Sequence, residues 1–526
     1  MMQKEVLDGL SFVLSREEIE QINFSKLNAK KDIVSSVFEK ISKNREEYAQ
    51  FYTHKELVNF ILDNVEFSTD SKVLDPACGA GAFLIELLAR GVMQDNVYGI
   101  DIDKGAIDIC RFNAELSQQA VLSNLINSNS LKDINNASFT KFDLIVGNPP
   151  FKNLRRDNSE YEVKYPLFNS ISSNSVNSAS LMILRSWELL KDGGYLGFVL
   201  PKNLARVESF SKLRKFILNN FKIKMIVDLD HHFKDVRGDQ IILILQKEDS
   251  ESKRLKNKVE IIPYKKGVYF GMSDPYYLQQ SEFNNYSFLP IFYNERIKEL
   301  AGKFLKSDTK LKDISKGIFR GISVGSNHKS ISKIKDSNFV TCYRGDSIQR
   351  FGIKYSLYLD YTKLTNSEIN KLNRLKSDKI ILQNICSREG GIFATTSNHY
   401  EVSLDTVTNI ILEKRDYLKY ITGVLNSKIS NFFMIFVVYL NSNFAMHTDK
   451  SYIGEIPVII PRNSELKKIN DLVEQLNNLK DKYSKEFFKV YNELNDNLYQ
   501  IYNLTDRDIA TIEESLKDIM SSKQNG

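Results

Sequence analysis

The feature that most constrains the fold of this chain is an alternation of short apolar runs with amphipathic stretches between about residues 52 and 246. Strand-like runs such as SKVLDPA, NVYGIDI and FDLIVGN alternate with helical segments such as AFLIELLAR and SLMILRSWELLKD. Strands separated by helices of this length form βαβ units, in which helices cover both faces of a parallel sheet. The sequence therefore predicts an α/β fold with a doubly wound, mostly parallel sheet.

The rest of the chain has a different pattern, because the regular alternation ends at about residue 260. Beyond that point the chain is rich in Lys, Ser, Asn and Tyr, and short strand-like runs are separated by turn residues. We predict helices in 1–45, the α/β domain in 46–250, a mixed α+β domain in 251–465, and helices in 466–526. The first of these segments carries no recognisable chemistry.

The distribution of charge is more informative than its total. The chain holds 72 basic and 66 acidic residues, a formal net charge of +6. Residues 301–390 hold 18 basic and 8 acidic residues, a local excess of +10, whereas residues 471–526 hold 7 and 11. Contacts to the phosphates of a nucleic acid need such a local excess of positive charge.

Several classes of protein and site are disfavoured. The four cysteines lie far apart without a Cys-x-x-Cys pair, so neither a disulfide framework nor a zinc site is indicated. His231 and His232 are a poor metal site, because adjacent side chains of an extended segment point to opposite faces. No signal peptide is recognisable, and the apolar run Phe432–Leu440 is about half of the roughly 20 residues that a membrane helix needs. We expect a cytoplasmic protein without a metal, with this run in a core.

The first chemical motif is VLDPACGAGAFLIELL at residues 73–88, where a strand ends in an acid and a Gly-x-Gly turn opens into a helix. Gly79 and Gly81 allow a tight turn with close approach of the backbone to a ligand, and Asp75 can bind an amine or a hydroxyl. Leu84 follows Gly81 by three residues, so the G-x-G-x-x-G fingerprint of pyrophosphate-binding enzymes is absent. The turn therefore suits another nucleotide-like cofactor.

A second acid stands at the end of the next strand, where NVYGIDID places Asp101. A carboxylate at this position of a doubly wound fold can accept hydrogen bonds from the 2′ and 3′ hydroxyls of a ribose. Asp101, with Ile102 after it, is therefore predicted to bind the nucleoside part of the cofactor.

The most specific motif is FDLIVGNPPF, in which the strand-like run 142–146 is followed by Asn148, Pro149, Pro150 and Phe151. Two prolines cannot continue a sheet strand, so the chain leaves the strand in a rigid turn. The turn offers the Asn148 side-chain oxygen and the Pro149 carbonyl as acceptors for the two hydrogens of one NH₂ group. Phe151 can stack on a planar base, so the predicted reaction is at an exocyclic amine.

The motifs DPACGAG, YGIDID and NPPF, in this order, resemble those of the S-adenosylmethionine-dependent amino methyltransferases, a class with a seven-stranded sheet. The segment FYTHKELVNFIL before the glycine turn is similar to a Tyr/Phe-x-Thr-Pro-like segment of the gamma-type DNA adenine-N6 methyltransferases. The resemblance covers about residues 45–246. It implies S-adenosylmethionine as the methyl donor, an adenine in duplex DNA as the acceptor, and a role in a restriction-modification system or as a solitary modification enzyme.

The resemblance also implies roles for the matching residues. Those that would line the methionine part of the cofactor or wrap its end are Tyr52, Thr53, Asp75, Ala77, Gly79 and Gly81, while Asp101 would hold the ribose and Ile102 would also bind the cofactor. Family members carry an acid after the third strand that accepts from the amino group of the cofactor's adenine. Here Asn129 stands in that place, with Asp133 as the alternative, and an amide oxygen can accept the same bond. His54 replaces the proline that the family often has.

The implied mechanism is direct methyl transfer without a covalent enzyme intermediate. The lone pair of an adenine amine is conjugated with the ring, and acceptance of both N–H bonds by Asn148 and Pro149 favours its nucleophilic form. Because the amine is paired inside a duplex, the base must rotate out, at a cost of a few kcal/mol. We expect Phe151 to stack on one face of the base and Phe233, before the last strand, on the other.

Basic residues in two regions are predicted to contact DNA. Lys234 and Arg237 belong to the same loop as Phe233, where they can approach phosphates. The segments FRGISVGSN, YRGDSIQRFG and ICSREGGIF place Arg320, Arg344 and Arg388 among Gly, Ser and aromatic residues, and resemble the carboxy-terminal target recognition domain of these enzymes. We expect a monomer on double-stranded DNA, with a separately encoded restriction endonuclease as the candidate partner.

Other functions stay open at this point. RNA guanine-N2 and protein glutamine methyltransferases also use NPP-aromatic motifs, but they generally lack a large second recognition domain. The modification subunit of a multi-subunit restriction system depends on a separate specificity chain, whereas the basic second half indicates built-in recognition. A fused nuclease is less favoured, because no PD…(D/E)xK pattern stands near the amino terminus. A non-enzymatic DNA-binding module would have no use for Asp75, Asp101 and NPPF in one sheet.

Overall fold

The computed structural model describes residues 53–131, 141–155, 171, 175–230, 238–265, 267–324, 328–337, 339–442 and 445–520. The chain forms two compact units, of which the first ends at Ile291 and the second begins at Phe292. The predictions for the segment 1–45 and for seven further residues lie outside the described residues. These seven are Tyr52, Asp133, His231, His232, Phe233, Lys234 and Arg237.

The first unit is built on a sheet of nine strands in the order β11-β10-β8-β9-β7-β4-β1-β2-β3. The strands of the first unit, including the separate pair β5 and β6, are β1 (Val73–Asp75), β2 (Val97–Asp101), β3 (Asn124–Asn127), β4 (Phe142–Gly147), β5 (Asn153–Arg155), β6 (Ser175–Asn177), β7 (Leu190–Pro201), β8 (Phe221–Asp230), β9 (Gln240–Lys247), β10 (Lys258–Ile262) and β11 (Tyr276–Gln279). Within the sheet, β9 is antiparallel to β7 and β8, β11 is antiparallel to β10, and the other pairs are parallel. The doubly wound, mostly parallel sheet of seven strands is confirmed as the part from β8 to β3.

Two strands extend this sheet beyond the predicted end of the α/β domain at residue 250. β10 pairs in parallel with β8, and β11 closes the edge as an antiparallel neighbour of β10. The first unit therefore continues to Ile291 instead of ending at residue 250. The loss of regular βαβ alternation marks the end of the crossovers but not the end of the sheet.

Helices cover both faces of the sheet, so its central strands are buried and apolar on both sides. The helices of the first unit are α1 (Lys55–Asp63), α2 (Ala82–Ala89), α3 (Lys104–Gln118), α4 (Ser178–Leu189), α5 (Ser211–Asn220) and α6 (Glu251–Leu255). Close packing of α1 needs a glycine in β7, because a Cβ atom on Gly197 would lie 2.6 Å from the Ile61 side chain. The double coverage explains why runs such as QIILILQK are apolar without alternation.

The second unit combines two four-stranded sheets with helices, which is the mixed α+β architecture predicted. One sheet has the order β12-β22-β18-β20 and the other the order β13-β17-β14-β21. The strands are β12 (Ser315–Arg320), β13 (Ile331–Ser332), β14 (Phe339–Tyr343), β15 (Ile348–Gln349), β16 (Gly352–Ile353), β17 (Leu357–Asp360), β18 (Lys379–Gln383), β19 (Ile385–Cys386), β20 (Ala394–Ser397), β21 (Glu401–Ser403), β22 (Val407–Leu412) and β23 (Met446–His447). The helices are α7 (Glu295–Leu305), α8 (Asn366–Leu375), α9 (Leu418–Asn426), α10 (Lys428–Phe432), α11 (Lys450–Ile453), α12 (Asn463–Asn478), α13 (Lys485–Ile501) and α14 (Asp506–Met520).

The apolar run at the end of α10 lies in the core of the second unit, as predicted. The side chains from Phe432 to Leu440 are all buried, and the helix continues past α10 as a π-helix, Phe433–Val438. Within the described ranges, no single helix is long and apolar enough to cross a membrane. One helix pair, 415–426 with 428–438, passes that test of length and composition together, but it is bent by 55°.

Candidate active site at the carboxyl edge of the sheet

The sheet topology brings the three predicted motifs to one edge. β1 lies between β2 and β4 and is parallel to both, with Asp75 opposite Gly99 and Leu74 opposite Ile145. Because the strands run in the same direction, the residues that follow them meet at the carboxyl edge, where ligands of doubly wound folds bind. Asp75, Asp101 and the turn that begins at Asn148 are therefore neighbours, although up to 73 positions separate them in the chain.

Backbone N–H groups fix the glycine turn onto the two acids. Gly79 N donates to Asp101 Oδ2 at 2.8 Å, and Ala77 N donates to Asp75 Oδ1 at 3.0 Å. The other Asp101 oxygen, Oδ1, accepts from Asp103 N at 2.9 Å. Each carboxylate thus positions the loop that surrounds it and still presents further lone pairs to a ligand.

Both glycines of the turn are structurally required, but for different reasons. Gly79 has φ +50° and Gly81 has φ +93°, values that side chains rarely adopt. A Cβ atom on Gly81 would also lie 2.6 Å from Cys110 Sγ, whereas a Cβ on Gly79 would meet no atom within 4 Å. Gly79 therefore borders open space, and its place beside a cofactor stays a prediction.

The two acids are buried, which changes their chemistry. Burial, with a smaller contribution from the nearby Asp101 charge, raises the pKa of Asp75 from 3.8 to about 8, although the hydrogen bond from Ala77 N–H opposes the shift. Burial also raises the pKa of Asp101, although hydrogen bonds from Asp103 and Gly79 work against the shift. Two buried carboxyls this close together favour a ligand that brings positive charge or several hydrogen-bond donors.

A glycine that the sequence reasoning did not single out connects Asp75 to the NPPF turn. A Cβ atom on Gly147 would lie 2.8 Å from Asp75 Oδ1, so any side chain there would displace the carboxyl group. Gly147 is buried at the end of β4 and precedes Asn148. The signal was present in the sequence as the glycine before NPPF, but its purpose depends on the β1–β4 pairing.

The NPPF turn leaves the sheet between β1 and β7. Asn148, Pro150 and Phe151 are partly exposed, whereas Pro149 is buried. The two proline rings fix φ at successive positions, which limits the conformations of this turn. The polar end of Asn148 and the ring of Phe151 can therefore reach a ligand from a rigid support.

The remaining predicted cofactor residues lie at the same edge. Ile102 is 52% exposed directly after Asp101, which leaves an apolar surface beside the acid. Asn129 lies two residues beyond β3, and its Oδ1 accepts from Leu131 N at 3.0 Å, so this oxygen also closes a turn. Thr53 is buried just before α1. Their contacts with a cofactor stay predictions.

A buried ion pair at this edge was also missed by the sequence reasoning. Lys202 Nζ lies 2.7 Å from Asp228 Oδ2, and the two residues are 1% and 5% exposed. Burial raises the pKa of Asp228, although the Lys202 ammonium opposes this shift. Lys202 follows β7 and Asp228 belongs to β8, so the pair ties together strands that are separated by β9. The lysine after VLP was its only visible signal.

The three arginines predicted to contact DNA have different surroundings in the second unit. Arg320 donates two hydrogen bonds of 2.7 Å to Asp449, from Nε and Nη2. Arg388 Nη2 donates to Asn441 Oδ1 at 2.9 Å. Arg344 Nε lies 3.8 Å from Asp346. The structure thus gives Arg320 and Arg388 contacts within the fold, and DNA contacts of all three stay predictions.

Comparison with known proteins decides the family. The model of the family described as N-6 DNA Methylase matches residues 29–302, just over half of the chain. The chain belongs to the N-6 DNA methylase family. A second model, the TaqI-like C-terminal specificity domain, matches residues 340–458 and confirms the predicted recognition domain in the second half. The protein is therefore a DNA methyltransferase with a specificity domain of its own.

Individual relatives agree with this membership of the N-6 DNA methylases. The chain is 29% identical over 337 residues to the type II methyltransferase M.VspI of Vibrio sp. (strain 343), which covers 61% of this chain and 75% of the relative. It is 25% identical to a putative type II restriction enzyme and methyltransferase, RM.MjaORFECS2P of Methanocaldococcus jannaschii, over 68% of this chain but 30% of that protein. Among solved structures, the chain is similar to the type IIL restriction-modification enzyme MmeI in complex with DNA, with a TM-score of 0.57 and 15% sequence identity. The match covers 93% of this chain and 77% of the MmeI chain, which shows a shared fold.

Proposed function

We propose that this protein is a site-specific adenine-N6 methyltransferase that transfers a methyl group from S-adenosylmethionine to duplex DNA. The observation that carries the proposal is the placement of the NPPF turn directly beside the buried acid Asp75, across the β1–β4 pair. Two rigidly held acceptors next to a cofactor loop suit an exocyclic amine as the methyl acceptor. The family membership supports DNA as the substrate.

The residues of the site would divide the binding of the cofactor among them. Asp75 and the Gly79–Gly81 turn would hold the methionine part, Asp101 the ribose hydroxyls, and Ile102 one face of the adenine ring. The two acids fit this cofactor, because buried carboxyl groups with raised pKa values can bind the ammonium group and the two ribose hydroxyls that it carries. When bound, S-adenosylmethionine supplies an electrophilic methyl group on a sulfonium.

The chain's own chemistry lies in the NPPF turn. The Asn148 side-chain oxygen and the Pro149 carbonyl accept the two N–H bonds of the target amine, which localises its lone pair on nitrogen. As the amine becomes positively charged during transfer, the same two oxygens stabilise it. Phe151 offers a ring for the rotated base, which offsets part of the cost of unstacking.

Recognition of a specific sequence is assigned to the second unit. The basic window of residues 301–390 overlaps the TaqI-like specificity domain at 340–458, so positive charge and predicted specificity coincide in the chain. Phosphate contacts position such a domain and base-edge contacts specify the sequence. Type II methyltransferases among the relatives support a role in a restriction-modification system.

The proposal is tested by incubating the protein with cofactor labelled in its methyl group and equal amounts of duplex DNA, RNA and a protein mixture. We expect label in DNA alone, recovered as N6-methyladenine after digestion to nucleosides. Label recovered in RNA or protein, or on another base of the DNA, would contradict it. Single-molecule sequencing of DNA from a heterologous host would then give the recognition sequence.

A further inference from the structure

The hydroxyl of Ser178 binds the two residues that flank Phe151 in the chain. Ser178 Oγ donates a short hydrogen bond to the Pro150 carbonyl and accepts from Lys152 N at 2.9 Å. The Ser178 backbone N–H donates to the Lys152 carbonyl at 2.9 Å. The residue is 4% exposed, so water competes little for these bonds. One side chain therefore brackets the segment from Pro150 to Lys152.

These contacts act on the part of the turn that its prolines leave free. Pro149 and Pro150 fix φ at two positions, but rotation about ψ of Pro150 and both dihedrals of Phe151 stay soft. The direction of the Pro150 carbonyl depends on ψ of Pro150. The direction of the Lys152 N–H depends on φ and ψ of Phe151. A hydroxyl that binds both groups thereby sets the direction in which the Phe151 side chain leaves the backbone.

The helix that carries Ser178 does not itself need this hydroxyl. Ser178 is the first residue of α4, and the cap is Asn177, whose Oδ1 accepts from Ala179 N at 3.0 Å. The antiparallel pair β5–β6, in which Asn153 lies opposite Asn177, brings the start of α4 against the turn. A serine at the cap position would serve the helix, whereas one residue later it serves the turn.

We infer that Ser178 is a positioning residue for methyl transfer, which holds the Pro150–Lys152 segment so that Phe151 and the acceptors of the NPPF turn meet the rotated base in the reactive geometry. The inference rests on the proposed function. Ser178 touches neither cofactor nor base in this role and acts through the turn. Its contribution belongs to the chemical step and not to the binding of S-adenosylmethionine.

The test compares Ser178→Ala with Ser180→Ala, the same change at another buried serine of α4, which is 2% exposed. Single-turnover methyl transfer to duplex DNA and the Kd for S-adenosylmethionine are measured for both. Misplacement of a reacting group costs up to about 100-fold in rate, so we expect a fall of about 10- to 100-fold for Ser178→Ala with the cofactor Kd unchanged. The rate of Ser180→Ala should stay near that of the unaltered protein.

Ser178→Thr separates positioning from a general loss of structure, because threonine keeps the hydroxyl. We expect it to recover most of the rate that Ser178→Ala loses. The inference is overturned if Ser178→Ala transfers at the normal rate, if its cofactor affinity falls in parallel with its rate, or if Ser178→Thr is as slow as Ser178→Ala. If the unaltered protein transfers no methyl group to DNA, the proposed function itself fails, so the two failures are distinguishable.

Discussion

The two predicted cofactor acids of the first unit are held by backbone groups, whereas Arg320, a predicted DNA-contact residue of the second unit, is held by another side chain. Asp75 accepts from the Ala77 N–H in the loop after its own strand, and Asp101 accepts from the N–H groups of Asp103, after its own strand, and Gly79, after β1. Arg320, by contrast, is bound to Asp449, which lies 129 residues further along the chain. Backbone-held residues depend on strand topology, which recurs throughout a fold class. Side-chain-held residues depend on individual long-range pairs.

The largest effect that sharpens this comparison is expected from Asp101→Ala. The change removes the acceptor of two backbone N–H groups and the proposed ribose contact. Hydrogen bonds to a charged group contribute about 1.5–3 kcal/mol each, so the Kd for S-adenosylmethionine should rise by about 100-fold or more. Isothermal titration calorimetry measures it, with Asp95→Ala, an exposed acid before β2, as the matched control.

Asp101→Asn serves as a second variant if Asp101→Ala folds poorly, since an amide keeps one acceptor oxygen. Its loss of affinity should lie between those of the unaltered protein and Asp101→Ala. If the folded variants bind the cofactor as tightly as the control, the ribose role of Asp101 is wrong.

The next effect concerns the proton on Asp75. Because the pKa of this buried carboxyl is about 8, it must release a proton before it can pair with the cationic end of the cofactor. Cofactor affinity should therefore rise by up to about tenfold per pH unit as the pH approaches 8, and level off above it. In Asp75→Asn this rise should disappear, apart from the titration of the cofactor itself. Parallel pH profiles for both proteins would show that Asp75 carries no titrating contact.

The same shift gives a prediction for stability with a defined sign. The folded-state pKa lies above the ordinary value of 3.8, so the folded protein keeps a proton that the unfolded chain releases. The contribution of Asp75 to the free energy of unfolding is thus fully present below about pH 4 and is lost as the pH rises through about 8. Urea titrations of the unaltered protein and Asp75→Asn at several pH values should converge at low pH and separate as pH rises. Equal pH dependence would contradict the buried, protonated state.

A smaller effect distinguishes the arginines of the second unit from one another. If Arg344 contacts a phosphate, Arg344→Ala should weaken DNA binding and lower the slope of affinity against salt by about 1. Arg320→Ala should change this slope less, because its guanidinium is already paired with Asp449. Fluorescence anisotropy with labelled duplex at several salt concentrations measures both. A larger change of slope for Arg320→Ala than for Arg344→Ala would reverse this assignment.

The smallest effect is expected for the Arg320–Asp449 pair itself. Its side chains are 47% and 31% exposed, so solvent screens the interaction. The two parallel hydrogen bonds of this bidentate pair strengthen the interaction. We therefore expect a coupling free energy of about 1 kcal/mol in a double-mutant cycle of Arg320→Ala and Asp449→Ala. The cycle is measured by urea unfolding. A coupling free energy near zero would show that the Arg320–Asp449 pair does not stabilise the second unit.

Much of the first unit could be predicted from sequence, because its functional residues follow strands. Three apolar runs each place a polar residue at the carboxyl edge, whatever the details of packing. These polar residues are Asp75, Asp101 and Asn148. The two edge strands β10 and β11 could not be predicted in this way. They follow β9 without a βαβ crossover, and a pattern of alternation cannot show that they join the same sheet.

The contacts that sequence reasoning could not supply are those between distant side chains. The links from Ser178 to Pro150, from Lys202 to Asp228 and from Arg320 to Asp449 all depend on which elements pack together. Nothing in the sequence around Arg320 indicates that its partner is Asp449. The basic window located an excess of positive charge in the chain, but it could not show which of its arginines bind other residues of the fold.

The central claim, that the NPPF turn beside Asp75 is an amino methyltransferase centre, is tested most directly by single-turnover methyl transfer with Asn148→Ala. The control is Asn96→Ala, an asparagine at the opposite edge of the sheet, before β2. Loss of one preorganised polar group in a catalytic site costs about 100- to 1,000-fold, so we predict a fall of that size with cofactor affinity unchanged. Undiminished formation of N6-methyladenine by Asn148→Ala would contradict the account.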